Sequence, residues 1–484
     1  MYLKKIFKNK KFTKSKISIK GLSEDSRKIK KNYIFFFKNI SIQSEKYLIE
    51  AINNGASLVI HNKKLLFDIK KYNNKCLLHG VTCVNSKMVD FSKKFYECDS
   101  KKMKIFGVTG TNGKSSVASY IAQLKNINKE ECGIIGTIGT GVYPKLKKQS
   151  LTTPGIIEIT KKISDFAKKK IKNLSLEVSS HALVQKRILG IEFDTVIFTN
   201  LSQDHLDYHK NMQDYFNAKS RLFFDYKNKK KIICIDDAYG KNLKKLLSNK
   251  KFISTVSIKD EKADYYASDI KFSESGIEFN LNSKYGLKKI RTKLYGIFSV
   301  SNIISSIAAV TNNKKEYNAY VNNILKLKAV NGRMNRYYKK GYPNIFIDFA
   351  HSPASVKNVL QSVKQHYPNK KIISVFGCGG ERDVKKRRIM GKIVSKYSND
   401  IILTNDNPRK EDPKKIIGDI VKGIDPNCSY KIILDRRKAI QKSISKNNKD
   451  KVVLILGKGH ENFQIFSDKK IVFSDKSEVK KILK

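Results

Sequence analysis

The chain contains no tryptophan, no Cys-x-x-Cys pair and no apolar run long enough to cross a bilayer. The seven cysteines, at positions 76, 83, 98, 132, 234, 378 and 428, are scattered and odd in number. That pattern argues against a disulfide framework or a zinc site and for reduced thiols in a cytoplasm. The basic stretch from Met1 to Lys20 is followed by no apolar h-region, so it does not read as a secretory signal. The longest early apolar run, Ile34-Phe-Phe-Phe37, falls far below the roughly 20 residues that a spanning helix needs. A soluble, cytoplasmic protein with no membrane partner is expected.

Acidic residues are scarce as well: 43 Asp and Glu stand against 98 Lys and Arg, a formal charge of +55. A nucleic-acid binder would gather that charge and interleave it with aromatics, and no segment does so. Lysine is instead spread along the whole chain beside abundant Asn and Ile, the residues of A/T-rich codons. Genome composition therefore accounts for the charge, no specific nucleic-acid partner is expected, and salt-sensitive adhesion to polyanions remains. No internal repeat stands out. At 40% apolar content the 484 residues can bury real cores, and about 150 residues per domain gives two to four domains.

The chain is organised around Ile105-Phe-Gly-Val-Thr-Gly-Thr-Asn-Gly-Lys-Ser-Ser116. A short apolar strand ends in a glycine-rich turn, and Ser115 opens a run with helical spacing. Strand, turn and helix in that order form a phosphate-binding loop: glycines let backbone N–H groups approach phosphate oxygens, Lys114 supplies a charge, and the Ser115 hydroxyl can reach a Mg2+ ion. Val108 stands where the longer form of the motif has its first glycine. The loop is expected to bind ATP or GTP.

Residues 1 to about 100 read as a small α/β unit, with strands at 33–37 and 56–60, a helix at 45–54 ended by Gly55, and Asp25-Ser26-Arg27 at a loop. From about 101 to 328, strands alternate with helices, which implies a mostly parallel sheet. Polar motifs fall where its strands end, the edge at which ligands sit in open α/β sheets. They are Thr152-Thr153-Pro154-Gly155, the run Glu177, Ser179, His181, and Leu201-Ser-Gln-Asp204-His205-Leu-Asp207-Tyr-His209. Glu177 and His205 are thus placed to reach a nucleotide's Mg2+. Lys219 lies among apolar neighbours on a helix, where a lone lysine would snorkel to solvent. Residues 225–300 carry only weak strands.

A third unit begins near 329 with Asn331-Gly-Arg333-Met334. Four continuous apolar strands follow, as in a sheet covered on both faces. Their C-terminal loops hold Asp348, Arg382, Asp406-Asn407-Pro408-Arg409, and Gly457-Lys458-Gly-His460-Glu461. Two guanidiniums and a carboxylate suit a ligand bearing carboxylates and an ammonium, which points to an amino acid.

With these motifs in order, the chain resembles the Mur ligase family over nearly its whole length, and most closely the members that add meso-diaminopimelate. The pieces that carry the resemblance are Gly110-Thr-Asn-Gly-Lys114, Glu177-Val-Ser-Ser-His181, Asn200-Leu-Ser-Gln-Asp-His-Leu-Asp-Tyr-His209, Ala218-Lys219, Asp406-Asn-Pro-Arg409 and Gly457-Lys-Gly-His-Glu461. It implies an α/β fold of three domains: residues 1–100 for the UDP substrate, a central P-loop domain at 101–328, and a Rossmann-like domain at 329–484 for the amino acid. ATP would lie on Gly110, Thr111, Asn112, Gly113, Lys114, Ser115 and Ser116, with Asn302, Arg333 and Asp348 nearby. Mg2+ would be held by Ser115, Glu177, His205 and a carbamylated Lys219. Lys114, Lys219, Glu177 and His205 would be the catalytic set. Ser26, Thr152, Thr153, Ser179, Gln185 and Arg187 would grip the UDP-muramoyl-dipeptide. Arg382, Asp406, Asn407, Pro408, Arg409, Gly457 and Glu461 would bind diaminopimelate. The partners would then be UDP-N-acetylmuramoyl-L-alanyl-D-glutamate, meso-diaminopimelate and ATP, for a monomeric enzyme of peptidoglycan synthesis.

Arg409 favours diaminopimelate over lysine, which has no second carboxylate to pair. The chain departs from the family pattern at 38–43 (Lys-Asn-Ile-Ser-Ile-Gln), Leu151, Ser299, Asn335 and Ala354, so the uridine and adenine contacts carry the weakest match. Two other readings compete. One keeps the fold and changes the substrate, as in folylpolyglutamate synthetases or other Mur ligases; the other is a non-enzymatic polyanion binder.

Overall fold

The computed structural model describes residues 2–3, 17–99 and 102–484, so most of the basic stretch from Met1 to Lys20 lies outside the described residues. Three sheets of four, eleven and six strands and a separate two-stranded hairpin make up its β-structure. The first sheet holds β1 (Gly21–Ser23), β2 (Tyr33–Phe37), β3 (Ala56–Asn62) and β4 (Leu77–Val81), parallel and in that spatial order. Its strands read as unbroken apolar runs because both faces are covered. Phe35, Phe37 and Val59 pack with Leu48 and Ala51 of the helix Glu45–Asn53, while Ile34, Phe36, Leu58 and Ile60 pack with Met88 and Phe91 of the helix Val84–Phe95. Ile156 and Ile157, which open the helix Ile156–Lys168, join that second core and tie this unit to the next.

The large sheet runs through β5 (Lys104–Thr109), β6 (Cys132–Gly136), β7 (Gly139–Val142), β8 (Lys145–Lys147), β9 (Asn173–Glu177), β10 (Phe193–Phe198), β11 (Asn228–Cys234), β12 (Ile253–Ser257), β13 (Tyr265–Ser273), β14 (Gly276–Ser283) and β15 (Lys288–Thr292). Its spatial order is β15-β14-β13-β12-β11-β10-β5-β9-β6-β7-β8. The strands from β13 to β6 are mutually parallel, and antiparallel pairs close both edges. The chain leaves β5 on one side for β6 and β9 and crosses to the other for β10. That makes the C-terminal end of β5 a topological switch point, where such sheets open a crevice. One face packs Val117 and Ile121 of the helix Lys114–Ile127 against Ile303 and Ile307 of the helix Ile297–Val310. The other packs Ile105, Leu176 and Phe198 against Phe216 and Leu222 of the helix Met212–Phe224.

The stretch at 225–300, expected to carry only weak strands, forms β11–β15. In β13 burial alternates residue by residue towards its exposed end, so its surface lysine and serine positions mask the strand pattern.

The third sheet orders β16 (Asn335–Tyr337), β17 (Asn344–Asp348), β18 (Ile372–Phe376), β19 (Asp400–Leu403), β20 (Ser429–Ile432) and β21 (Val452–Leu456) as β16-β17-β21-β18-β19-β20. All neighbours are parallel except the edge strand β16. Phe346, Phe376 and Leu454 line one face and Ile345, Val375 and Val453 the other. The hairpin of β22 (Phe463–Phe466) and β23 (Lys469–Val472) braces its ligand edge: Arg409 N–H donates to the Ile465 carbonyl (3.0 Å) and Ser467 N–H to the Arg409 carbonyl (2.6 Å). Between the second and third units, Gly296 N–H donates to His366 Nε2 (3.0 Å) and Arg336 Nη1 to the Tyr295 hydroxyl (2.9 Å). All seven cysteines are free thiols. Among the described residues no helix is long and apolar enough to cross a membrane.

Candidate active site

β5 delivers the chain into the turn 110–113, where Gly110 and Gly113 take φ of +148° and +86°. A Cβ at Gly110 would sit 1.9 Å from Thr199 Oγ1, and one at Gly113 would sit 2.5 Å from Asn302 Oδ1. The turn is therefore pressed against the end of β10 and against the helix carrying Asn302, and only glycine fits. Lys114 opens the following helix and folds back, donating to the carbonyls of Gly110 (2.9 Å) and Thr111 (2.8 Å). Burial pushes its ammonium below the ordinary lysine range, against the pull of Glu177 and Asp204. Thr199 Oγ1 donates to the Asn112 carbonyl (2.6 Å) and the Asn112 N–H to Asn200 Oδ1 (3.0 Å), so the cradle is held open from the β10 side.

Glu177 ends β9, next to β5, and is fully buried. Its Oε2 accepts from Ser115 Oγ (2.9 Å) and Thr137 Oγ1 (3.1 Å), and its Oε1 from the Thr137 N–H (2.8 Å). Burial lifts its carboxyl above the usual range, while Lys114 and these donors pull it down. Ser115 and Glu177 thus form one cluster beneath the phosphate turn. Among the described residues no three His, Cys, Asp or Glu side chains converge on a metal position. One carboxylate and one hydroxyl beside a phosphate cradle do fit Mg2+, which keeps several waters and takes its remaining ligands from substrate phosphates.

Lys219 projects from the helix Met212–Phe224 to the same turn: its Nζ donates to the Gly110 carbonyl (2.8 Å) and lies 4.5 Å from the Tyr215 ring centroid. At 1% exposure it does not snorkel. Burial and the nearby Lys114 charge push its amine well below the lysine range, with Asp204 opposing. That direction favours the uncharged amine, the form that adds carbon dioxide. His205, at φ +53°, is half-exposed and stands 3.7 Å from Asp204; burial pushes its imidazole below the ordinary histidine range, with Asp204 opposing. Its ring lies 5.1 Å from that of His181 and 6.2 Å from that of Tyr215.

The residues expected to grip the peptide are already linked to one another. Thr153 Oγ1 donates to the Glu177 carbonyl (2.7 Å) and accepts from the Ser179 N–H (3.0 Å). Thr152 Oγ1 meets Thr137 Oγ1 (3.0 Å), and Arg187 reaches the Thr153 carbonyl (3.1 Å) and Gln185 Oε1 (2.9 Å). Ser26 stands apart in the first unit, buried, with its hydroxyl on Glu50 Oε2 (2.5 Å). In this structure it offers no free donor.

On the facing unit Arg333 lies over the Phe349 ring (5.0 Å) and close enough to Lys114 for the two cations to repel. Asp348, at the end of β17, accepts from the Met334 N–H (2.7 Å) and the Ala350 N–H (2.7 Å). Arg382 and Arg409 come together at Gly379, whose added Cβ would lie 3.1 Å from Arg409 Nη1 and 3.7 Å from Arg382 Cγ. Arg409 also donates to the Gly380 carbonyl (2.7 Å). Asn407 Nδ2 donates to Glu461 Oε2 (3.0 Å), while Pro408 is buried beside Arg409. Asp406 lies against Gly457, where a Cβ would fall 2.5 Å from its Oδ2, and burial raises its carboxyl. Arg382, Arg409, Asp406, Asn407, Gly457 and Glu461 therefore share one rim.

Three participants were given no role by the sequence. Thr137 supplies two of the three donors to Glu177 from a turn 40 residues away. Tyr215 stacks under Lys219. Lys458, fully buried, donates to Asn407 Oδ1 (3.0 Å) and Glu461 Oε2 (2.6 Å).

Residues 108–310 match the Mur ligase middle domain and residues 332–459 the Mur ligase glutamate ligase domain. A UDP-N-acetylmuramoyl-L-alanyl-D-glutamate--2,6-diaminopimelate ligase of Wigglesworthia glossinidia brevipalpis is 40% identical over 479 residues, 97% of this chain and 96% of that protein. The protein of the same name from Buchnera aphidicola subsp. Schizaphis graminum is 38% identical over 473 residues, 96% and 95% of the two chains. A solved structure with that name superposes with a TM-score of 0.69 at 33% identity, covering 96% of this chain and 94% of its own.

Proposed function

This chain belongs to the Mur ligase family, and from that premise we propose that it is an ATP-dependent ligase joining meso-diaminopimelate to UDP-N-acetylmuramoyl-L-alanyl-D-glutamate. It would act as a cytoplasmic monomer, with units at 1–100, 101–328 and 329–484 taking the UDP substrate, ATP and the amino acid. The observation that carries this reading is a phosphate cradle facing a second unit whose rim brings the Arg382 and Arg409 guanidiniums into one loop cluster with the Asp406 and Glu461 carboxylates.

A carboxylate is a poor electrophile, so it must be activated before an amine can attack. The substrate's D-glutamyl side-chain carboxylate takes the γ-phosphoryl group of ATP, giving an acyl phosphate and ADP. The amine of diaminopimelate then forms the C–N bond. The C–O bond to phosphate breaks, phosphate leaves with the electron pair, and the amine loses a proton.

Moving a phosphoryl group to an anionic oxygen requires fixed positive charge in a dry site. Lys114, freed from its own loop carbonyls, supplies it with the turn's N–H groups. Ser115, Glu177, His205 and Lys219 as its carbamate would hold Mg2+, which when bound neutralises phosphate charge. Carbamylation turns this buried amine into an anion, so that Lys219 would attract Lys114 instead of repelling it. Thr152, Thr153, Ser179, Gln185 and Arg187 orient the peptide, and Ser26 serves the UDP end once released from Glu50. Asn302, Arg333 and Asp348 border the nucleotide. Arg382 and Arg409 clasp the amino acid's carboxylate, while Asp406 and Glu461 face its ammonium.

The test is ADP release with each substrate omitted in turn. Release that requires both the UDP-dipeptide and diaminopimelate, and that lysine does not match, supports the reading. Equal rates with lysine would overturn the role given to Arg409.

A further inference from the structure

The Gly457-Lys458-Gly459 turn bends at two left-handed glycines, with φ of +108° and +51°, and sends the lysine inward. Its side chain is 0% exposed. Nζ reaches Glu461 Oε2 at 2.6 Å and Asn407 Oδ1 at 3.0 Å, and Asn407 Nδ2 reaches the same Glu461 oxygen at 3.0 Å. Asn407 is fixed in turn, since its Oδ1 also accepts from the Ile465 N–H of the bracing hairpin (3.0 Å). Glu461 Oε2 is therefore committed to two donors. Oε1 makes no hydrogen bond among the described residues, and the side chain is 26% exposed at the rim.

We propose that Lys458 is a positioning residue for the amino-acid substrate: it holds Glu461 through Oε2, so that Oε1 is the open acceptor for the substrate's ammonium. This inference rests on the ligase reading above and assigns a role to a residue that reading leaves without one.

Two physical points separate it from a merely structural lysine. A buried ion pair is often no more stable than apolar packing of the same volume, so fold stability alone does not call for a lysine here. The charges around Glu461 also require one. Asp406 faces it from the loop after β19, Arg436 from the helix Arg436–Ser443, and His460 from its own loop. Arg436 is already engaged by Asp475 (2.7 and 2.8 Å). Burial alone would raise the Glu461 carboxyl; Lys458, with Asn407, holds it below the usual range. The sign follows. With Lys458 the carboxylate survives mild acid. Without it the carboxyl protonates at higher pH, and ammonium binding is lost as pH falls through that value.

The experiment compares wild type, K458M and K458R, with the KM of each substrate followed across pH. In K458M the KM for diaminopimelate should rise about tenfold or more, the scale of a weakened charged hydrogen bond. The KM values for ATP and the UDP-dipeptide should move less than about twofold, and the acid limb of kcat/KM for the amino acid should shift up by about one pH unit or more. K458R should keep the acid limb near the wild-type position. An unchanged limb, or equal loss for all three substrates, would overturn the inference and leave Lys458 structural.

Should K458M fail to fold, wild type still decides. Its amino-acid KM should stay flat down to about pH 5, and a limb above about pH 6 that disappears in E461Q overturns the proposal. Wild type that releases no ADP with diaminopimelate overturns the ligase reading and this inference together. Amino-acid-dependent release with an indifferent K458M overturns only the inference.

Discussion

The variant E177Q separates the structural work of Glu177 from its chemical work. The carboxylate accepts three hydrogen bonds, from Ser115 Oγ (2.9 Å), Thr137 Oγ1 (3.1 Å) and the Thr137 N–H (2.8 Å). Glutamine can keep its oxygen on the fixed N–H donor and turn its amide nitrogen to the two hydroxyls, which rotate to accept. The N–H keeps its acceptor and the Thr137 hydroxyl can donate to Thr152 Oγ1 instead, so the loss is confined to the Ser115 hydroxyl proton and should be about 1 kcal/mol. The charge also disappears. Burial raises the Glu177 carboxyl above its unfolded value, so the folded state binds that proton more tightly than the unfolded state does. Stability on this account is fully present below the unfolded pKa and is lost as pH rises through the folded one. Near neutral pH wild type bears that loss and E177Q does not. E177Q should therefore melt no lower than wild type at neutral pH, with the difference narrowing as the pH falls.

Catalysis should go the other way. Removing a metal-side carboxylate should lower ADP formation by about a hundredfold or more, the scale of one lost charge-stabilising group. E177A, by contrast, leaves the Thr137 N–H without an acceptor and should cost about 1–3 kcal/mol in stability as well. Thermal melting across pH and a coupled ADP assay read both quantities. An E177Q variant as unstable as E177A, or one with near wild-type turnover, would refute the geometry argued for this cluster.

Three further outcomes are expected. K219M should fold, because methionine fills the same buried space beside Tyr215, but it should lose ligation. Intact-mass analysis of wild type in bicarbonate should show one added carbon dioxide that K219M lacks. R409A should raise the diaminopimelate KM by the equivalent of about 1.5–3 kcal/mol, a hydrogen bond to a charged group, with ATP binding by calorimetry unchanged. G113A places a Cβ 2.5 Å from Asn302 Oδ1 at φ +86°; about 1–2 kcal/mol of backbone strain should appear as weaker ATP binding with the UDP-dipeptide KM preserved.

Much of this site could be anticipated from residues because its groups lie at strand ends, and strands here are short apolar runs bounded by glycine. The cradle followed from Gly110, Gly113 and Lys114, whose spacing fixes both backbone and charge. Glu177 followed from its place at the end of a strand. What escaped depends on contacts that local pattern does not encode. Thr137 reaches Glu177 because the β6–β7 turn and the end of β9 meet in space. Lys219 was placed at the site by resemblance and not by local pattern: beside Phe216 and Leu222 it has the surroundings of a surface lysine, and only docking of its helix onto β5 and β10 buries it under Gly110. Lys458 sits between residues with evident roles, and its inward course is set by the two left-handed glycines. Ser26 was placed by resemblance at a UDP contact, and its hydroxyl is turned to Glu50, a partner 24 residues on.

The chain's charge obscures this chemistry. A count of +55 says nothing about which cations act, because most lysines sit in solvent, where salt screens them within about 10 Å. The basic side chains of the candidate site are withdrawn from that solvent: Lys219 and Lys458 are buried, and Lys114 is folded onto its own loop. Each faces a defined acceptor, and burial weakens the hold of two of them, Lys114 and Lys219, on a proton. A cation that is poorly solvated gains more from an arriving phosphate or carbamate than a hydrated one does, since it has less water to lose. Position in the two facing loop clusters rather than abundance therefore marks the functional lysines, and a surface mutation that removes several exposed ones should leave phosphate recognition intact.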